Sequence, residues 1–142
     1  MRGGIWKLCS LALLALVACG SGCDKGTPTA GGGSGKSGAK RLILLTNGDD
    51  PFWDAMRSGM EDAAKDLKLD EVNLKAELDK NDNTPKGQVD KLKQYASQTD
   101  VAGVAVSVTD AKNVAIADAM RNLQKQGVKV ITVDSDVDRD AA

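Results

Sequence analysis

The chain has 142 residues, 42% of them hydrophobic, and a formal net charge of −1, the profile of one soluble globular domain or a piece of one. Its 19 basic residues are interspersed with 20 acidic ones, no basic block forms, and the few aromatics do not alternate with bases, which argues against a nucleic-acid surface. Histidine is absent, so neither imidazole acid–base catalysis nor imidazole metal ligation is open to it.

The first residues read as an address. Arg2 and Lys7 precede an almost wholly apolar run over residues 8–17 that is too short to span a bilayer as a stable helix. Residues 1–18 are therefore expected to be a secretory leader. It ends in Leu16-Val17-Ala18-Cys19, which resembles the bacterial lipobox at every position. Cleavage there leaves Cys19 to carry lipid, and the acyl chains would hold the protein to the outer face of a membrane. Gly20-Ser21-Gly22-Cys23 is a poorer second candidate because Gly20 replaces the branched residue. With Cys9 lost in the leader and Cys19 acylated, Cys23 has no intramolecular disulfide partner. The processed chain carries 17 basic against 20 acidic residues, a net charge of −3.

Residues 19–40 are rich in Gly, Ser, Thr, Pro, Ala and Lys without apolar periodicity, and read as a flexible tether with a reach of roughly 20 Å. Within it, Ala30-Gly31-Gly32-Gly33-Ser34-Gly35-Lys36-Ser37 approaches a phosphate-binding loop. Its context is inverted. Such a loop needs a strand before it and a helix after it, so that backbone amides converge on the phosphate.

From Arg41 onward the pattern alternates between strands and helices. Residues 41–47 read as a buried strand. Asp50 can cap a helix with Pro51 at its first position, and Phe52, Met56, Met60, Ala63 and Leu67 form an apolar stripe at helical spacing. Residues 72–78 read as a second strand. Thr84-Pro85 repeats the cap-and-proline start for a helix with Val89, Leu92 and Ala96 inward. Residues 103–108 read as a third strand. Thr109 or Asp110 then opens a helix bearing Val114, Ala117, Met120 and Leu123, stopped by Gly127, before a fourth strand at residues 128–133. Four strands alternating with three helices predict an α/β fold, a doubly wound parallel sheet with helices on both faces.

In such a sheet every loop after a strand opens onto one edge, which gathers residues 46–50, Thr109, Asp110 and residues 134–136. Carboxylates there accept hydrogen bonds from hydroxyls, and an aromatic face covers the C–H surface of a sugar ring. A neutral polyol suits that pairing better than an anion, which the acids would repel. Phe52 is in register with Met56 and is expected in the core; Trp53, one residue round the helix, is the expected stacking ring. Asp50 can cap the helix and accept a ligand hydroxyl through different lone pairs. Asp79-x-Asn81-x-Asn83 has the early spacing of a calcium loop, but Thr84 stands at the turn glycine and Asp90 at the terminal glutamate.

The order leader, lipobox, tether and strand, followed by Asn47-x-x-Asp50-Pro51-Phe52-Trp53 and later Val130-Ile131-Thr132-Val133-Asp134-Ser135-Asp136, resembles the ribose-type periplasmic sugar-binding proteins that feed ABC importers. The resemblance runs from about Arg41 to the end. It implies the first lobe of a two-lobe periplasmic binding protein fold, in which two α/β lobes close around a sugar. Carried over by position, Thr46, Asp50, Phe52 and Trp53 would line the first loop and Asp134 would bind sugar hydroxyls. The ribose-binding members have asparagine at the position of Asp50 and arginine at that of Ser135, which points to another aldose or polyol. The implied protein is a membrane-anchored extracytoplasmic (periplasmic) solute-binding protein, not an enzyme, with an ABC permease as partner and no cofactor. The family chain is about twice as long, so residues 41–142 are expected to be an incomplete N-terminal lobe with poor affinity on its own.

Two other classes share parts of this pattern. Aspartates converging at strand ends could hold Mg²⁺ for phosphoryl transfer, and Val133-Asp134-Ser135-Asp136 is similar to a phosphatase nucleophile loop, although Asp138 stands where threonine or valine is expected. The ligand-sensing domain of a LacI-type repressor also has this fold; the leader and the lack of DNA-binding helices argue against it.

Overall fold

The computed structural model describes residues 38–141. The expected leader, the Cys19 lipidation site, Cys23 and the phosphate-loop look-alike lie outside the described residues. Among those described, strands and helices alternate as β1 (Lys40–Leu45), α1 (Phe52–Asp66), β2 (Leu74–Asp79), α2 (Pro85–Ala96), β3 (Val101–Val106), α3 (Val114–Lys125) and β4 (Lys129–Thr132). The strands form one parallel sheet in the order β2-β1-β3-β4, with Leu44 opposite Leu78, Leu45 opposite Val106 and Val106 opposite Thr132. The α/β expectation therefore holds, each strand end lying one or two residues from its expected bound.

Strand side chains alternate between faces, and the two faces are covered differently. Ile43, Leu45, Val104 and Val106 point to one side, where Leu92 and Tyr95 of α2 and Ile116, Ala119, Met120 and Leu123 of α3 complete the core. Leu92, Ile116 and Leu123 are wholly buried, each contributing about 1.5–3 kcal/mol of hydrophobic stabilisation. Leu42, Leu44, Gly103, Ala105, Ile131 and Val133 belong to the opposite side. There, together with Met60, Ala63, Ala64 and Leu67 of α1, they line an apolar hollow of about 400 Å³.

The helix ends follow local chemistry. Thr84 caps α2 as expected, its hydroxyl accepting from Gly87 N at 2.9 Å with Pro85 at the first helical position. α3 departs from expectation: Asn113, not Thr109 or Asp110, is its cap, accepting from Ala115 N at 3.1 Å and Ile116 N at 3.3 Å. Asp110 instead closes an Asx turn onto Lys112 N. Val114 consequently lies in the first turn and is exposed, while Ala117, Met120 and Leu123 face inward. Gly127 ends α3 at φ +87°, the left-handed conformation that suits glycine, and Val128 N returns to Leu123 O.

α1 corrects the expected packing of its two rings. Trp53 is 2% exposed and Phe52 is 53% exposed, the reverse of the core and stacking roles expected for them. The inward face runs through Trp53, Met56, Met60 and Ala64, about one residue round from the expected stripe, and Ala63 and Leu67 are exposed. The indole N–H finds a partner in Asn47 Oδ1 at 3.3 Å, which lets the larger ring be buried without losing a hydrogen bond.

Candidate functional site

The strand order places β1 between β2 and β3, so the chain leaves β1 toward one neighbour and later returns on the other side. The loops after β1 and β3 diverge at that switch point, the place where open α/β sheets form a ligand crevice. Buried polar side chains hold these loops. Gln88, wholly buried on α2, donates through Nε2 to Thr46 O at 3.2 Å and Ser107 O at 2.8 Å, and accepts at Oε1 from Thr109 N at 2.9 Å. Asn81, after β2, has Nδ2 within 3.0–3.2 Å of Asn47 O, Thr84 O and Thr109 Oγ1, its two amide protons shared among the three acceptors. One glutamine and one asparagine thus tie the ends of β1, β2 and β3 into a single rigid edge.

The expected site residues occupy distinct layers of that edge. Thr46 is wholly buried and its hydroxyl is engaged twice, donating to Gly48 O at 2.6 Å and accepting from Asn81 N at 3.0 Å. Its position is beneath the loop, where it shapes the backbone. A Cβ at Gly48 would fall 1.6 Å from Asn83 Oδ1, so any larger residue there would push that exposed side chain aside. Asp50 is exposed, with Oδ1 accepting from Phe52 N at 2.8 Å, so it braces the start of α1 and keeps its second oxygen open. Phe52 stands edge-on to Trp53, ring centroids 5.0 Å apart at 77°, leaving Phe52 toward solvent and Trp53 behind it.

Asp134 is exposed at the end of β4, and its Oδ2 accepts from Ser107 Oγ at 2.9 Å. Its φ of +65° and the 2.7 Å bond from Ser135 N to Val133 O make it the centre of a tight three-residue turn. A non-glycine residue there stores on the order of 1–3 kcal/mol, sustained by the ladder bond from Val133 N to Val106 O and the bond from Val108 N to Ser135 O.

Charge at this edge is partly neutralised. Lys80, after β2, bridges Asp49 at 2.5 Å and Asp54 at 3.0 Å, and these hydrogen bonds, that to Asp49 first, raise its ammonium above the ordinary lysine value. The Asp79 carboxylate faces away from the calcium-like pattern, held by Lys91 at 2.6 Å and the Tyr95 hydroxyl. Burial first, and then Asp79, pushes the Tyr95 phenol well above its ordinary value. Among the described residues no three His, Cys, Asp or Glu side chains group closely enough to hold a metal ion.

Gln88, Ser107 and Lys80 were not singled out by the sequence patterns, and Asn81 only as part of a calcium-like spacing, a different role. Two carried a readable signal. Gln88 sits in helical register with Leu92 and Tyr95, a polar residue on a buried face, and Ser107 is a lone polar residue between the apolar end of β3 and Val108. Asn81 and Lys80 gain their roles only through partners from β1, β3 and α1.

The sequence profile of a periplasmic binding protein domain matches residues 42–142. Solved structures share the fold. The Caulobacter myo-inositol binding protein bound to myo-inositol is 30% identical, with a TM-score of 0.57 over 72% of this chain and 32% of its own. An ABC transporter solute-binding protein from Burkholderia graminis, in complex with D-arabinose, is 24% identical at a TM-score of 0.58, over 70% of this chain and 32% of its own. A periplasmic solute-binding protein from Actinobacillus succinogenes with bound D-allose is 21% identical at 0.59, over 72% and 34%. This chain thus spans about a third of the length of the structures it resembles. No curated protein sequence matches it. Because the profile match takes in the sheet and all three helices from Leu42 onward, the chain belongs to the periplasmic binding protein family.

Proposed function

We propose that this chain forms the first ligand-facing lobe of an extracytoplasmic solute-binding protein that captures a neutral aldose or polyol for an ABC transporter. The observation that carries the reading is the Asp134 carboxylate, exposed at a strand end on the crevice edge and oriented by a buried serine. A carboxylate so placed accepts from ring hydroxyls without being neutralised by a nearby cation, which suits a neutral ligand rather than an anion. Asp50 adds a second open carboxylate oxygen and the exposed Phe52 ring a surface for C–H groups, with Trp53 backing it and Thr46 bracing the loop. Myo-inositol, arabinose and allose, the ligands in structures of the same fold, all present adjacent hydroxyls on a compact ring. The lipobox-like run ending at Cys19 supports attachment to the outer face of a bacterial membrane through acyl chains.

Titration calorimetry of the whole two-lobe protein to which this lobe is proposed to belong, with myo-inositol, D-arabinose and D-allose, tests the reading. Binding of at least one is expected, weakened at least tenfold by Asp134→Asn, which retains the backbone conformation and removes the charge-assisted acceptor. Equal affinity in Asp134→Asn, or binding of sugar phosphates in preference to neutral sugars, refutes it. Palmitate labelling that persists in Cys19→Ala refutes the anchor.

A further inference from the structure

Two serine hydroxyls beneath Asp134 have more acceptors than protons. Ser107 Oγ lies 2.9 Å from Asp134 Oδ2 and 3.0 Å from Ser135 Oγ, while Ser135 Oγ lies 2.8 Å from Val108 O. Each hydroxyl has one proton to give. When Ser107 donates to Asp134 and Ser135 to Val108 O, no proton lies between the two serine oxygens. When Ser107 donates to Ser135 and Ser135 to Val108 O, the chain is continuous and Asp134 Oδ2 is released. The geometry therefore supports two proton arrangements that differ in how many carboxylate oxygens are free.

Resting on the sugar-binding reading, we propose that Ser135 is a positioning residue that receives the Ser107 proton when a ligand hydroxyl takes its place on Asp134 Oδ2. The ligand O–H donates to Oδ2, the Ser107 O–H rotates to Ser135 Oγ, and Ser135 continues to donate to Val108 O; every proton keeps an acceptor. Ser107 is wholly buried, so a proton displaced without that alternative would be left unpaired away from water. Ser135 thus governs whether the Oδ2 lone pair that Ser107 occupies opens to a ligand hydroxyl beside the one held at Oδ1, and favours adjacent diols.

The test uses the two-lobe protein and whichever of myo-inositol, D-arabinose and D-allose binds most tightly, with its set of monodeoxy analogues. Ser135→Ala is expected to weaken the parent ligand about tenfold, the ratio that accompanies one unpaired buried donor, while changing one monodeoxy analogue less than about twofold. That analogue lacks the hydroxyl that meets Oδ2. Ser135→Thr, which keeps the hydroxyl, is expected to restore the parent affinity, a rescue that loss of packing would not give. If the alanine variant fails to fold, Ser135→Cys preserves the volume with a much poorer acceptor and should reproduce the selective loss. Equal weakening of the parent and every monodeoxy analogue, or no weakening at all, overturns the role of Ser135 and leaves the sugar reading standing. Failure of the unsubstituted two-lobe protein to bind any of the three sugars overturns both.

Discussion

Replacing Gln88 by methionine keeps the volume of the side chain and removes every hydrogen bond it makes. The carbonyls of Thr46 and Ser107 and the amide of Thr109 would lose the partner that Gln88 supplies at 3.2, 2.8 and 2.9 Å. Each buried group left unpaired costs about 1–3 kcal/mol, and partial relaxation of the loops brings the total to about 3–5 kcal/mol. Against a typical stability of about 5–15 kcal/mol, that loss is large. Urea unfolding followed by far-ultraviolet circular dichroism and Trp53 emission should show the midpoint falling by about 2 M with little change in slope. Gln88→Glu gives a second reading of the same contacts. At neutral pH its carboxylate faces two carbonyl oxygens with nothing to donate; protonation supplies one O–H, so the deficit of this variant should shrink as pH falls. A loss below about 1 kcal/mol in Gln88→Met, or a Glu variant whose deficit does not depend on pH, refutes the idea that this side chain pins the crevice edge.

The two rings of α1 should separate stability from binding. Trp53→Ala is expected to cost about 3–5 kcal/mol in thermal or urea unfolding, whereas Phe52→Ala should cost less than about 1 kcal/mol and instead weaken sugar binding by calorimetry. Tyr95 is the only tyrosine in the chain, so its ionisation can be followed by ultraviolet absorbance. Its folded phenol is raised above the unfolded value of about 10, so its stabilising contribution is full below that pH and is lost as pH rises beyond it. Absorbance should therefore change together with unfolding at alkaline pH; ionisation in a chain that remains folded refutes the assignment. Asn113→Ala should lower stability by about 1 kcal/mol through the lost helix cap, and Asp110→Ala by less than half that, measured as shifts in Tm.

The alternation of strands and helices was legible because each element repeats its apolar residues at its own period and Thr84-Pro85 and Gly127 mark two boundaries unambiguously. The start of α3 was not. Asp110 and Asn113 both have side chains that can satisfy nearby amides, and only the packing of Ile116 and Ala117 against the core selects Asn113. The face of α1 was misread for a related reason: Phe52 and Trp53 are adjacent, and either phase gives an apolar stripe through Met56 and Met60. The deciding partner, Asn47 Oδ1, becomes visible only when the loop is folded over the helix. Asp134 was legible as a carboxylate at a strand end. Its orientation was not, because that depends on Ser107, which is 27 residues away along the chain.

The left-handed turn at Asp134 also limits how this lobe can change over evolutionary time. At φ +65°, asparagine and glycine are the substitutes the backbone accepts most readily, and both remove the carboxylate charge; branched or bulky side chains add strain. A lineage drifting toward a new ligand thus has few single steps available at position 134 itself. Its accessible routes run through other residues of the proposed site in ordinary conformations, such as Ser135, Phe52 and Asp50, so variation there should accumulate around a fixed aspartate.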